Sequence, residues 1–148
     1  MSCFVLSDKI YITPSGVHKE RILPEDLFVM TPESTELEGP PAHKGYKQSQ
    51  CTPLFFNAYS LRGAGAVIHT HSIHAVITTI LLGSAKEWRI THQEMIKGIR
   101  VGSTKQNYRY FDELVVPIIE NTAEEEDLKD RMAVAMKGTL DAQIPQYE

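Results

Sequence analysis

The residues with the clearest chemical potential are His69 and His71, separated only by Thr70. On extended backbone, residues two apart point to the same face, so both imidazoles can converge on one ion. Neutral imidazole suits Zn²⁺, with Zn–N distances of roughly 2.0–2.1 Å. The pair is expected where a strand runs into a helix N-terminus, a common location for sites in α/β proteins. A catalytic zinc takes three protein ligands and keeps a fourth position open. The remaining histidines, His18, His43, His74 and His92, offer no evident third. His74 follows His69 by five residues and falls on the next helix, and His92 could approach only after a chain reversal. A surface or hydrogen-bonded histidine is the plainer reading of all four.

Three further positions carry possible chemistry. Glu94, in His92-Gln93-Glu94-Met95, is a carboxylate in an otherwise uncharged local stretch. If it faces a pocket, partial burial would raise its pKa and fit it for acid/base work; on spacing alone it reads as an exposed glutamate. Cys51 precedes an expected helix. The helix dipole there can favour a thiolate, and a buried inert thiol is equally consistent with the sequence. Pro14-Ser15-Gly16 with Lys19 has the makings of a small anion site, because a hydroxyl, turn N–H groups and an ammonium can hold phosphate. The same tripeptide is more often simply a turn. The run Glu124–Asp127 reads as first-turn charge favoured by a helix dipole, with no catalytic meaning.

Those residues must be positioned by alternating strands and helices. Phe4–Leu6 and Ile10–Thr13 flank Ser7-Asp8-Lys9 as a short hairpin leading into the Pro14 turn. Leu27–Met30 is an apolar run suited to a buried strand, and residues 31–50, rich in Pro, Glu, Ser and Lys, read as a surface loop. Leu54, Phe55, Ala58 and Leu61 recur at helical spacing from Thr52 onward, with Pro53 acceptable in the first turn and Gly63 and Gly65 closing the segment. Ala66–His71 predicts a strand and residues 73–82 a helix with Ser72 as N-cap. Trp88–Ile90 and Leu114–Ile119 predict strands, and His92–Ile99 is either a short helix or an ordered loop. Thr122-Ala-Glu-Glu125 has the form of a capping box. The helix it opens is expected to bury Leu128, Met132, Val134 and Ala135, and Lys137-Gly138 ends it. This alternation gives an α/β class.

With 148 residues, the chain is long enough for one domain with one core. Its net charge of −4 and lack of a basic block give no electrostatic footprint for nucleic acid. A small anionic metabolite needs only a local positive pocket, which net charge does not exclude. Two cysteines, Cys3 and Cys51, make no disulfide framework and suit a reducing compartment. The apolar stretches Ala64–Ile68 and Ala75–Leu82 are too short to span a bilayer, so no membrane partner is expected. The first residues lack the pattern of a signal peptide, and a cytoplasmic location is expected.

Five blocks together carry a resemblance. They are Ile12-Thr-Pro-Ser-Gly-Val-His-Lys-Glu20, Ser49-Gln-Cys-Thr-Pro-Leu-Phe55, Gly63-Ala-Gly-Ala-Val-Ile-His-Thr-His-Ser72, Ile90-Thr-His-Gln-Glu-Met-Ile-Lys-Gly98 and Val115-Val-Pro-Ile-Ile-Glu-Asn-Thr122. In order and spacing they resemble the eukaryotic methylthioribulose-1-phosphate dehydratases, of the class II aldolase superfamily, over roughly residues 8–136. The resemblance implies a three-layer α/β/α fold around a mostly antiparallel sheet, and assembly as a homo-oligomer, usually a tetramer. It implies that His69 and His71 are two of three zinc ligands and that Glu94 is the catalytic acid/base. Cys51 would lie in the substrate pocket and Ser15 would help hold the substrate phosphate. The implied reaction belongs to methionine salvage: zinc-assisted enediolate formation and loss of water from 5-methylthioribulose 1-phosphate.

Two departures accompany the resemblance. The family's Gly-rich phosphate segment lies upstream of the first hairpin, and its third zinc histidine lies in a downstream His-Gly motif; neither is matched in this sequence. Residues 1–148 are therefore expected to form a single, partial domain with a divergent tail at 137–148, truncated at both ends. Its competence as an enzyme turns on a third ligand. The alternative is a non-catalytic chain that co-assembles with full-length subunits. A sugar-phosphate aldolase or epimerase is a further rival, disfavoured because Cys51 stands where aldolases carry a glutamate.

Overall fold

A computed structural model describes residues 2–6, 8–102, 104 and 106–138. They form two compact units, one comprising residues 1–70 with 122–129 and the other residues 71–121 with those from 130 onward.

The first unit is built on a five-stranded antiparallel sheet: β1 (Ser2–Leu6), β2 (Lys9–Ile12), β3 (Phe28–Met30), β4 (Glu36–Glu38) and β5 (Ala66–Ile68), in the order β4-β3-β2-β1-β5. The expected β1–β2 hairpin forms, pairing Val5 with Ile10 and Leu6 with Lys9, so Lys9 belongs to the strand and not to the turn. Along β2 the burial alternates, because successive side chains point to opposite faces, and Ile10 and Ile12 are 1% and 0% exposed. All three residues of β3 are buried. The loop expected over 31–50 contains β4, whose Glu36 pairs beside Met30. This strand is wholly exposed, and its two glutamates blunt the sheet edge against pairing with another chain.

Helix α1 (Thr52–Arg62) follows the predicted periodicity, burying Leu54, Phe55 and Ala58, and it lies against β5. Pro53 sits in the first turn, where its missing N–H is no loss. Gly63, at φ 58°, ends the helix in the left-handed region. Its N–H reaches the Tyr59 carbonyl, and the Ala64 N–H reaches that of Ala58, the pairing that satisfies the last free carbonyls.

Asp26 is a buried carboxylate in the same unit. It accepts the Leu23 N–H at 3.1 Å and the Lys44 ammonium at 2.6 Å. The Lys44 hydrogen bond first, then the Leu23 N–H, hold its pKa below the ordinary value against the opposing effect of burial.

The second unit contains α2 (Ile73–Leu82), a two-stranded antiparallel ribbon of β6 (Glu87–Ile90) and β7 (Leu114–Pro117), and a 3₁₀ turn over Glu94–Gly98. Its core is small: Ile96, Tyr108 and Leu114 are buried, with Ile90, Ile99 and Val101 packed against them. No residue of α2 is buried, although its sequence is apolar almost throughout. The capping box expected at Thr122 does not form as such; Thr122 donates to the Glu124 carbonyl, and α3 spans Glu125–Gly138. Val134, expected in the buried set, is 71% exposed, whereas Leu128, Met132 and Ala135 are half-buried. Residues 139–148 of the expected tail lie outside the described residues. Among the described residues, no helix is long and apolar enough to cross a membrane.

Candidate metal and catalytic residues

β5 ends at Ile68, so the strand predicted to reach His71 stops short of the histidine pair. His69 and His71 sit on the irregular link between β5 and α2, and Ser72 caps α2 with extended backbone but no side-chain hydrogen bond. His69 is half-buried and His71 exposed. Among the described residues, no group of three His, Cys, Asp or Glu side chains comes together as a metal cluster. Imidazole is a donor that Zn²⁺ accepts, and a catalytic zinc takes three protein ligands.

Cys51 stands at the N-cap of α1 and is 6% exposed. The sequence left open a thiolate or an inert thiol there. Burial pushes the thiol pKa up, only partly opposed by the Ser49 hydrogen bond, with the negative charge of Glu125 adding to the rise. The neutral thiol therefore prevails. Ser49, itself buried, accepts the Cys51 N–H at 3.1 Å and so stands in for the cap that a cysteine side chain does not provide.

Ser15 lies in the turn that the sequence marks out, half-buried, with its N–H donated to the Lys47 carbonyl at 2.9 Å. Gly16 adopts φ 67°, which lets the chain turn sharply beside it. The Lys19 ammonium bonds the Pro14 carbonyl across this turn, and desolvation lowers its pKa. A hydroxyl and an ammonium thus share one turn, with the ammonium engaged by the Pro14 carbonyl.

Glu94 opens the 3₁₀ turn of the second unit. Its side chain is 76% exposed and accepts the Lys97 ammonium at 2.7 Å. The partial burial that would have tuned it is absent, in keeping with the plainer reading from spacing. Lys97 is a partner that the i,i+3 spacing could have suggested. His92 adopts φ 57° and shares a hydrogen bond between Nδ1 and the Thr91 hydroxyl at 3.0 Å.

A cleft of about 610 Å³ opens in the first unit beside the start of α1, lined by Gln50, Thr52 and Phe56 and by Glu124, Glu126 and Asp127. Its acidic wall repels anions, so it does not suit a phosphate ester. A second cleft, about 510 Å³ in the second unit, is lined in part by Tyr108, Arg109 and Asp112. Arg109 is held there by Asp112 at 2.8 Å.

Residues 1–144 match the class II aldolase and adducin N-terminal domain. The chain belongs to this family. A methylthioribulose-1-phosphate dehydratase of Aquarana catesbeiana is 65% identical over 129 residues, covering 87% of this chain and 54% of that protein. Those of Gallus gallus and Homo sapiens are 64% and 63% identical, over 88% and 87% of this chain and 53% of each relative. The chain spans about half the length of the curated relatives it matches. The structure of an L-fuculose 1-phosphate aldolase superposes with a TM-score of 0.65 over 93% of this chain and 56% of that one, at 20% identity. That likeness carries the fold: a class II aldolase architecture, mixed α/β with antiparallel sheets.

Of the positions singled out in the sequence, Ser15, Cys51 and His69 belong to the first unit, and His71 and Glu94 to the second.

Proposed function

We propose that this class II aldolase family member acts in methionine salvage as a cytoplasmic, zinc-dependent dehydratase of 5-methylthioribulose 1-phosphate, working as a homo-oligomer. The observation that carries the reading is the identity of 61–65%, over most of this chain, to relatives bearing that enzyme name. In this reading His69 and His71 hold the zinc. When bound, the metal supplies Lewis-acid polarisation of the substrate ketone, which makes the adjacent C3 proton more acidic.

The protein's own groups then divide the work. The Glu94 carboxylate takes the proton from C3, which needs Lys97 to yield one oxygen, and the resulting carboxylic acid returns that proton to the departing C4 hydroxyl. Its exposure leaves the carboxylate within reach of a bound substrate. The neutral Cys51 thiol contacts the sugar as a weak donor without competing as a charged ligand. Ser15 gives its hydroxyl to the phosphate, and Lys19 adds a positive charge in the same turn. An exposed α2 supports an assembly, since the apolar face carrying Ile73, Ile77, Ile80 and Leu81 is ordinarily covered.

The test is to purify the chain without added metal, count zinc per folded chain by mass spectrometry, and assay dehydration. One zinc per chain, lost in His69→Asn and His71→Asn, together with turnover abolished in Glu94→Gln, is the expected result. A folded chain that neither retains added zinc nor consumes the substrate would overturn the reading.

A further inference from the structure

His92, Tyr110 and Phe111 form a closed group of rings two residues from Glu94. The three centroids are 5.2–5.6 Å apart, and every pair meets edge to face at 81–89°. Such T-shaped packing is the favoured arrangement of aromatic pairs. The group is fixed by backbone as well as by ring contact. The His92 N–H donates to the Tyr110 carbonyl at 2.9 Å, and the Thr91 hydroxyl donates to the Phe111 carbonyl at 3.3 Å while bonding the His92 ring. His92 holds φ 57° in this setting, a conformation a non-glycine residue adopts at some cost.

This locked group faces solvent. Phe111 is 75% exposed, and Met95, next to Glu94 in the chain, is 78% exposed. Scattered apolar side chains on a surface need no explanation. A strained, hydrogen-bonded cluster of rings that leaves its phenylalanine in water contributes little to the core, so its order serves something outside the fold.

The neighbouring chemistry indicates what that is. In the substrate proposed above, the sulfur sits on the carbon next to the one that loses its hydroxyl. A group that binds the thioether must therefore lie within one side-chain length of the acid/base carboxylate. Successive Cα atoms are about 3.8 Å apart, so His92 and Glu94 are within about 7.6 Å of each other along the backbone. Aromatic edges and a methionine are good partners for a thioether sulfur, at about 5 Å from a ring.

Resting on the dehydratase reading, we propose that His92, Tyr110 and Phe111 are the receptor for the methylthio terminus of the substrate, with Met95 flanking it. The cluster sets specificity and does not touch the reacting bonds. It favours a methylthio end over a hydroxyl end because a polarisable sulfur packs well against ring edges, whereas a hydroxyl set against the Phe111 ring gives up water.

Two measurements on the folded full chain test this separately from the reading it rests on. In the first, 2-(methylthio)ethanol and ethylene glycol are titrated while aromatic NMR resonances are followed. The thioether is expected to shift the Phe111, Tyr110 and His92 signals, and the diol is not; loss of the remaining response in Phe111→Ala supports the assignment. Equal responses to both probes, or none, would overturn it whether or not the chain is an enzyme. In the second, kcat/KM is compared for 5-methylthioribulose 1-phosphate and ribulose 1-phosphate. Phe111→Ala is expected to cut the preference for the methylthio substrate about tenfold. An active wild type whose preference survives in Phe111→Ala would overturn the inference and leave the dehydratase reading standing. A wild type that turns over neither substrate would overturn the reading, and the probe titration then decides the thioether receptor by itself.

Discussion

The two units invest their apolar residues differently. In the first, Ile10, Ile12, Phe28, Val29, Met30, Leu54, Phe55 and Ala58 are buried, drawn from β2, β3 and α1. In the second, only Ile96, Tyr108 and Leu114 reach that state among the described residues, while Ile73, Ile80 and Leu81 of α2 are 62%, 71% and 81% exposed. Yet α2 is the more apolar of the two helices in composition. Apolar sequence is therefore not the same as core: a residue stabilises the fold only where another surface comes to cover it. The second unit also holds Glu94 and the exposed ring cluster, so its apolar surface is available for binding where the first unit's is spent on folding.

The sharpest way to break that contrast is to remove one side chain from each core. Ile12→Ala is expected to cost about 2–5 kcal/mol, the range for truncating a buried aliphatic residue whose surroundings relax only in part. Urea unfolding followed by circular dichroism checks it. Ile96→Ala removes the same atoms from a core of three, and its effect should fall first on the amides of β6 and β7, read by hydrogen exchange. If Ile12→Ala cost less than about 1 kcal/mol, the first unit would not be the tightly packed body that its burial indicates.

What the sequence made legible follows the same division. The β1–β2 hairpin, β3 and α1 are all visible in it, because each writes its burial into local periodicity: alternation in Lys9–Ile12, a run at Phe28–Met30, and three–four spacing from Leu54. β4 is hidden, since Glu-Leu-Glu alternates only once and becomes a strand because β3 offers an open edge. The end of β5 at Ile68 is hidden as well: its ladder with β1 covers Ala66 to Ile68, and the letters of His69–His71 do not mark the stop. Of the candidate residues, only the His69–His71 pair stood out by type and spacing; Glu94, Cys51 and Ser15 drew their roles from the family resemblance. Most of their environments were not legible. Nothing in the letters says that Cys51 is buried beside Ser49 or that Tyr110 and Phe111 close on His92, whereas the Glu94–Lys97 pair follows from i,i+3 spacing.

A second contrast concerns charge. Asp26 in the first unit is buried with Lys44, whereas Arg89 in the second forms exposed pairs with Glu87 and Glu113. Exposed pairs contribute little, but a buried carboxylate stripped of its cation is strongly unfavourable. Lys44→Met should therefore lower the melting temperature by several degrees at neutral pH, while Arg89→Met changes it far less. The sign with pH is fixed. Because the folded-state pKa of Asp26 is depressed, its contribution to stability is present above the unfolded carboxylate value of about 3.9 and is lost as the pH falls through the folded value. In Lys44→Met the main depressing influence is gone while the Leu23 N–H still offsets burial, so the folded-state pKa rises toward the ordinary value. The deficit against wild type should then be largest near neutrality and shrink toward acid. Calorimetry across that range checks it; a deficit independent of pH would mean that Lys44 acts by packing its stem.

The smallest expected effect lies in α2. Leu81→Ser and Ile80→Ser alter side chains that are mostly in water, so each should leave folding stability within about 0.5 kcal/mol of wild type. Their consequence should instead be on association: less apolar surface for a second molecule to cover, hence a smaller sedimentation coefficient at high concentration and slower aggregation. A change of 2 kcal/mol or so, the scale of uncovering a buried leucine, would mean that α2 is covered in solution. The second unit would then have a core of its own to rival the first, and Met95 and Phe111 would be among the fewer apolar side chains it leaves in water.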